Sequence, residues 1–276
     1  TMAVHADSPT RFHLRTHRSS PRAASHSVAG AYLAEFTGTF ILVFAITATA
    51  TSAGLAQSVA GSAYGSLAIV LVNGLALAAL VGGLAHVSGA HFNPAVTIAM
   101  AVVRKFSWRH VPGYVAVQMA GGIVAALATW AIRGDAARTV MHLGATNPKP
   151  GVSDGRALLV EFLITFILVF VVTAAATDRR FPAPAAPLVI GFALATAVFI
   201  GGPTDGAAVN PARGLGPMIA SGSYGGWWVV LVGPVLGGVV AAVLYQMFVR
   251  KGQAPVVEQA PKDARDLDSH TRHAVR

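Results

Sequence analysis

The sequence predicts an all-α membrane protein with six transmembrane helices plus two re-entrant half-helices in an inverted 3+3 repeat. Three observations carry this reading. Of 276 residues, 54% are apolar and only 11% charged, against roughly 25% charged in soluble domains. Six apolar runs are each close to the ~20 residues that cross a ~30 Å hydrocarbon core, and two more are about half as long. Finally, the two halves of the chain repeat one another in order.

Taken from the N-terminus, residues 1–27 hold Arg11, Arg15, Arg18 and Arg22 among Ser, His and Pro. Nothing there can bury an apolar face, so a disordered cytoplasmic tail is expected. Arginines before an apolar stretch also suit a signal peptide. The run at 29–50 exceeds the ~7–15 residues of a signal h-region and is expected to remain as the first span. Further spans are expected at 65–86, 110–132, 157–177, 185–202 and 226–249. The apolar pieces 94–103 and 211–220 would reach only roughly 15 Å as helix. Non-spanning backbone at that depth must be buried in protein or line a watery cavity. The channel domain is placed at 28–250, in halves of about 28–132 and 156–250, and residues 251–276 are read as a second disordered cytoplasmic tail.

The repeat is visible residue by residue. Glu35-Phe36 and Thr39-Phe40-Ile41-Leu42-Val43-Phe44 return as Glu161-Phe162 and Thr165-Phe166-Ile167-Leu168-Val169-Phe170, an offset of 126. Gly74-Leu75-Ala76 and Asn93 return as Gly191-Phe192-Ala193 and Asn210 at 117, and Gly121-Gly122 returns as Gly237-Gly238 at 116. The nine-residue change between the first two offsets places an insertion between spans one and two. Three spans per half is an odd number, so the second half enters from the opposite face and the half-helices meet at mid-bilayer. Inverted repeats with broken helices are a recurrent plan in transport proteins.

Basic residues set the orientation under the positive-inside rule. With the N-terminus cytoplasmic, that side holds fifteen Lys and Arg, including Arg104, Lys105, Arg109, Arg179 and Arg180, and the other side four: Arg133, Arg138, Lys149 and Arg156. Arg213 falls within the second half-helix. Both termini are therefore expected in the cytoplasm. The formal charge of +9 does not indicate nucleic acid, because the basic residues lie in tails and short loops instead of clustering on one folded face.

Each half-helix opens with Asn-Pro-Ala: Asn93-Pro94-Ala95 and Asn210-Pro211-Ala212. Asn accepts backbone N–H groups as an N-cap, and Pro is pre-shaped for the first turn. The capped asparagines can turn their amide donors to a passing oxygen. Two positive helix-dipole ends at one point disfavour cations. Exclusion of protons by half-helix dipoles and an Arg is an established feature of aquaporin-type pores.

The stretch Ser88-Gly89-Ala90-His91-Phe92-Asn93-Pro94-Ala95-Val96-Thr97, together with Asn210-Pro211-Ala212-Arg213, resembles the signatures of the aquaporin and aquaglyceroporin (major intrinsic protein) family. The resemblance covers about residues 29–249 and implies an aquaporin-like bundle, one pore per subunit and a homotetramer. It also implies that Arg213 lines the external constriction, donating to permeant oxygens and repelling cations. Glu35 and Glu161 resemble the family's buried acceptors for half-helix loop N–H groups. His91 is read as supporting the first loop, with gating by its titration as the other reading.

Carrying over the family's constriction positions gives Asn73, Val198, Ala207 and Arg213. Strict water channels resemble an aromatic and a His at the first two, and glycerol channels a Trp at the first; this chain has none of these. Gly214 stands where glycerol facilitators have Asp. Val198 and Ala207 resemble the nodulin-26-like branch and its bacterial relatives, some of which pass arsenous or boric acid. Asn73 would be costly facing lipid, whereas facing the pore it supplies a donor and an acceptor. A filter without rings is expected to be wide and polar, passing water, small polyols and neutral hydroxylated acids.

Other functions are less well supported by these residues. A secondary transporter would need a coupling carboxylate beyond the paired glutamates, and a non-conducting junctional protein would not need the filter residues. A strict water channel lacks its rings here. No Ser-His-Asp order, phosphate loop or metal-ligand spacing points to an enzyme or a cofactor, and the absence of cysteine excludes thiolate chemistry. The expected partners are membrane lipids and small neutral solutes. The Ala, Gly and Arg bias suggests a high-G+C bacterium, and hence its inner, plasma membrane.

Overall fold

A computed structural model describes residues 27–59 and 61–252. Its long helices are α1 (Val28–Gly54), α2 (Ser66–Ser88), α4 (Val111–Arg133), α6 (Asp154–Thr177), α7 (Ala186–Gly201) and α9 (Val229–Gly252). All six, with the 3₁₀ turns leading into α4 and α7, are long and apolar enough to cross a membrane. The half-helices are α3 (Pro94–Val102) and α8 (Pro211–Ser221), and a five-residue helix α5 (Asp135–Thr139), not expected from the sequence, lies between the halves. Among the described residues there is no β-strand. The expected tails lie outside the described residues, apart from Ser27 and the final turn of α9.

The long helices are apolar around most of their circumference, as helices in lipid must be. Leu33, Leu75, Leu159, Phe192 and Phe199 face outward, where a soluble protein would place charge. Trp108 near one end of the bundle and Trp227 near the other are both about half exposed, as suits aromatic rings at the two interfaces. The repeat also locates the insertion. At an offset of 126, α6 ends level with residue 51 whereas α1 continues to Gly54. Three of the nine extra residues thus lengthen α1, and the remaining six lie in the loop before α2.

The helices pair as α1 with α4, α6 with α9 and α2 with α7, while each half-helix crosses to the other repeat, α3 to α9 and α8 to α4. Small residues permit these crossings. A Cβ on Gly74 would lie 2.8 Å from the Gly191 carbonyl oxygen, and one on Gly191 would lie 2.5 Å from that of Gly74. A Cβ on Gly121 would meet the Phe36 carbonyl at 2.6 Å, and one on its counterpart Gly237 would collide with the Phe162 carbonyl. Gly122 is held just as closely to the backbone of Ala212. The twin glycine pairs thus seat both α1–α4 and α6–α9, and Gly122 also admits the second half-helix.

Candidate functional site

The two Asn-Pro-Ala turns meet inside the bundle. Asn93 Oδ1 accepts from Ala95 N at 2.8 Å, and Asn210 Oδ1 accepts from Ala212 N at 2.9 Å and Arg213 N at 3.4 Å. The capping predicted from Asn-Pro is therefore present in both copies. One amide N–H of each asparagine is used in a way the sequence did not indicate. Asn93 Nδ2 donates to Val209 O at 3.0 Å and Asn210 Nδ2 to Phe92 O at 2.8 Å. Each asparagine thus binds the backbone just before the other. An amide carries two N–H donors, so the second remains for the cavity that both residues line.

The loops entering these turns are conformationally costly. Ala90 and Phe92 have φ of 52° and 48°, and their counterparts Ala207 and Val209 have 55° and 58°. Left-handed backbone at non-glycine residues costs of order 1–3 kcal/mol each. Buried carboxylates offset that cost. Glu35 accepts from His91 N at 2.9 Å and Phe92 N at 2.7 Å, and also from Ser88 Oγ and Gln118 Nε2. Glu161 accepts from Ala208 N at 2.6 Å and Val209 N at 2.8 Å. Both glutamates are fully buried. His91 Nδ1 lies 3.1 Å from Thr97 Oγ1, and its ring meets Phe106 and Tyr114 edge-on.

A cavity of about 140 Å³ runs along the turns, lined by Asn73, His91, Asn93, Asn210 and Arg213 among apolar side chains such as Leu77 and Leu194. Beyond Arg213 a wider vestibule of about 760 Å³ opens, lined by Val198, Gly144, Thr146, Lys149 and Asp205. Arg213 belongs to both spaces and so stands at their junction. Its side chain is 5% exposed, Nη1 donates to Gly144 O at 2.9 Å, and Nε has no protein partner. Gly144 lies in the loop between the halves, where a left-handed run of His142, Leu143 and Gly144 turns its carbonyl inward.

The four carried-over constriction residues are therefore placed unequally. Asn73 lines the inner cavity and Val198 the outer vestibule, on either side of Arg213. Asn73 Nδ2 bonds back to Ile69 O at 2.7 Å, which leaves its carbonyl oxygen and one N–H outside that bond. Ala207 lines neither space; Ala208 borders the inner one and Gly206 the outer. The Ala207 side chain turns instead toward Gly201, on which a Cβ would lie 3.1 Å away. Sequence reasoning gave no role to Ser88 within its signature stretch and did not single out Gln118, Gly144 or Asp205. Ser88 and Asp205 stand five residues before each Asn-Pro-Ala, so the repeat itself could have flagged them.

Among the described residues no cluster of His, Asp or Glu could hold a metal. The site offers neutral donors and acceptors at a narrow point, one guanidinium, and apolar walls. It can exchange hydrogen bonds with a passing neutral solute, and a cation would meet both helix N-termini and Arg213.

Residues 22–245 match the family model for major intrinsic proteins. The chain is 42% identical over 216 residues to aquaporin NIP3-1 of Oryza sativa subsp. japonica, covering 77% of this chain and 66% of the rice protein. It is 39% identical over 234 residues to aquaporin NIP6-1 of Arabidopsis thaliana, covering 85% and 72%. The X-ray structure of the aquaglyceroporin from Plasmodium falciparum superposes with a TM-score of 0.72 at 26% identity, covering 81% of this chain and 97% of that one. Joined capped half-helices, an arginine where the two cavities meet and these likenesses all indicate one lineage: the chain belongs to the major intrinsic protein family, as a multi-pass membrane channel for water and small solutes and not an enzyme.

Proposed function

We propose that this channel passes small uncharged hydroxylated solutes, glycerol-like polyols and neutral acids such as arsenous or boric acid, as well as water, and excludes ions and protons. The observation that carries the proposal is the junction at Arg213. Asn73 on its inner side and Val198 on its outer side supply no ring to narrow the passage, and Asn73 adds polar capacity opposite a guanidinium. A polyol or hydroxylated acid can accept from arginine and donate to an amide oxygen within one bound pose. In this reading the Asn-Pro-Ala turns form the pore centre. Arg213 with Asn73 and Val198 sets selectivity, Ala207 shapes the loop from behind, and Glu35, Glu161 and His91 support the loops.

The termini are assigned to the cytoplasm on the fifteen-to-four bias in Lys and Arg, and four copies are taken to assemble through the apolar outer helix faces, each with its own pore. Plasma-membrane residence follows from the same reading. A bacterial host is supported by composition alone, since the two relatives named above are plant proteins.

Stopped-flow swelling of proteoliposomes with water, glycerol, urea and neutral metalloid acids tests the reading. Conduction of water together with glycerol and arsenous acid is expected. Liposomes that conduct water but exclude both solutes would sink it in favour of a strict water channel.

A further inference from the structure

The two loop supports are not chemically alike. In the first repeat, Ser88 Oγ makes two bonds at once: it donates to Glu35 Oε1 at 2.7 Å and accepts from Ala90 N at 3.1 Å. The residue 117 positions later is Asp205. Its Oδ1 accepts from Ala207 N at 3.0 Å, which reproduces the second of those bonds, because Ala207 is the counterpart of Ala90. Reproducing the first would require Asp205 to donate to Glu161, and a carboxylate has no proton to donate. Yet Asp205 is 1% exposed, its Oδ2 has no donor, and it holds the same loop turn as Glu161, the two carboxyl groups taking the successive N–H groups of Ala207, Ala208 and Val209.

Two carboxylates buried together on one turn of loop cannot both stay ionised at ordinary pH. Neighbouring groups do not relieve them. Where Gln118 donates to Glu35, the aligned position 234 is proline, and α9 presents Gly233 to Glu161. From α7 the nearby group is the Gly201 carbonyl, which accepts from Asp205 N. The cationic groups acting on Asp205 are Arg213 of α8 and Lys149 of the vestibule loop. Both Glu161 oxygens already accept backbone N–H bonds, so the oxygen with room for a proton is Asp205 Oδ2.

We infer that Asp205 and Glu161 share one proton, and that Asp205, as a neutral acid donating to Glu161, is a positioning residue for the filter loop and Arg213. The pair then carries a single negative charge, as Glu35 does in the first repeat, and the loop through Ala207 and Val209 is held by the same bonds. Losing the proton would set a second negative charge against Glu161, and the repulsion between the two carboxylates would work against the N–H bonds by which they hold the loop. Burial raises the Asp205 carboxyl above its ordinary range, while the Ala207 N–H, Arg213 and Lys149 act in the opposite direction. The bonded loop is therefore the low-pH form, and it is lost as pH rises through the titration of the pair.

The inference rests on the channel reading above, and two measurements on the full chain in proteoliposomes separate them. Glycerol permeability of the wild type, followed across a pH series from neutral into the alkaline range, is expected to fall about tenfold as the pair loses its shared proton. Asp205→Ser restores the hydroxyl of the first repeat and Asp205→Asn supplies an amide donor, so both should conduct with a flat pH profile. Asp205→Ala should conduct poorly at every pH. Infrared spectra should show a protonated-carboxyl band at neutral pH that disappears on alkalinisation in the wild type and is missing in Asp205→Asn. A flat wild-type profile, or a wild type without that band, overturns the inference whatever the variants do. If the wild type does not conduct at any pH, the channel reading fails, and the infrared band still decides whether the proton is shared.

Discussion

Phe92 and Asn210, 118 positions apart in the chain, are joined by a 2.8 Å hydrogen bond from the asparagine amide to the phenylalanine carbonyl. The reciprocal bond runs from Asn93 to Val209 O at 3.0 Å. Two half-helices of 9 and 11 residues are too short to be stable alone. Here each one's cap is also the other's anchor. Joining the two Asn-Pro-Ala turns and docking the two repeats are therefore one event.

That coupling makes Asn210 a stability residue as well as a lining residue of the inner cavity. Asn210→Ala leaves the Ala212 N–H and the Phe92 carbonyl without their buried partners, at a cost of about 1–3 kcal/mol for each unsatisfied group. A lower thermal unfolding midpoint in detergent is expected, along with reduced water flux. An unchanged midpoint would show that the cross-loop bond contributes nothing.

Asn73 stands on the inner side of Arg213, so Asn73→Phe should narrow the junction. Glycerol and metalloid-acid permeability are expected to fall at least tenfold while water flux falls much less, since a ring excludes by size. Stopped-flow traces for each solute on the same vesicles make the comparison. Equal losses for all solutes would remove Asn73 from the filter.

Removing the guanidinium should relax charge exclusion. With Arg213→Ala the positive group between the two cavities and its bond to Gly144 O are both lost, leaving only the helix dipoles against cations. Neutral-solute flux should persist while cation leak rises, as read by ammonium or proton flux into dye-loaded vesicles. A variant as ion-tight as the wild type would assign exclusion entirely to the half-helix ends.

Two glycines offer a paired test of packing. A Cβ at Gly237 would collide with the Phe162 backbone, whereas one at Gly83 meets nothing within 4 Å. Gly237→Ala is expected to reduce folded yield and thermal stability sharply. Gly83→Ala should be neutral or stabilising by about 0.5–1 kcal/mol, the usual cost of glycine in a helix. Similar midpoints for the two variants would contradict the close α6–α9 crossing.

Hydropathy and the repeat made much of this molecule legible. Spans, half-helices and capping asparagines are local properties, written in runs of apolar residues and in the Asn-Pro dipeptide, and all recur in the structure with shifts of a few residues. Glycine pairs read as close crossings fall where backbones touch. By contrast, α5 is a single polar turn without apolar periodicity, and no window of sequence marks it.

The remainder depended on distances across the chain. Sequence alone predicted that two Asn-Pro-Ala turns and one arginine lie inside the bundle, because only burial or a pore tolerates such groups in lipid, and all three are buried. Only the tertiary structure decided that each asparagine bonds the other loop and that Arg213 is held by Gly144. The same holds for Ala207, which turns away from both cavities, and for Asp205, whose carboxyl group accepts from the Ala207 N–H beside the loop that Glu161 holds. Hydrogen bonds are decided at about 3 Å between residues up to 118 positions apart, and no pattern of neighbouring residues encodes that separation.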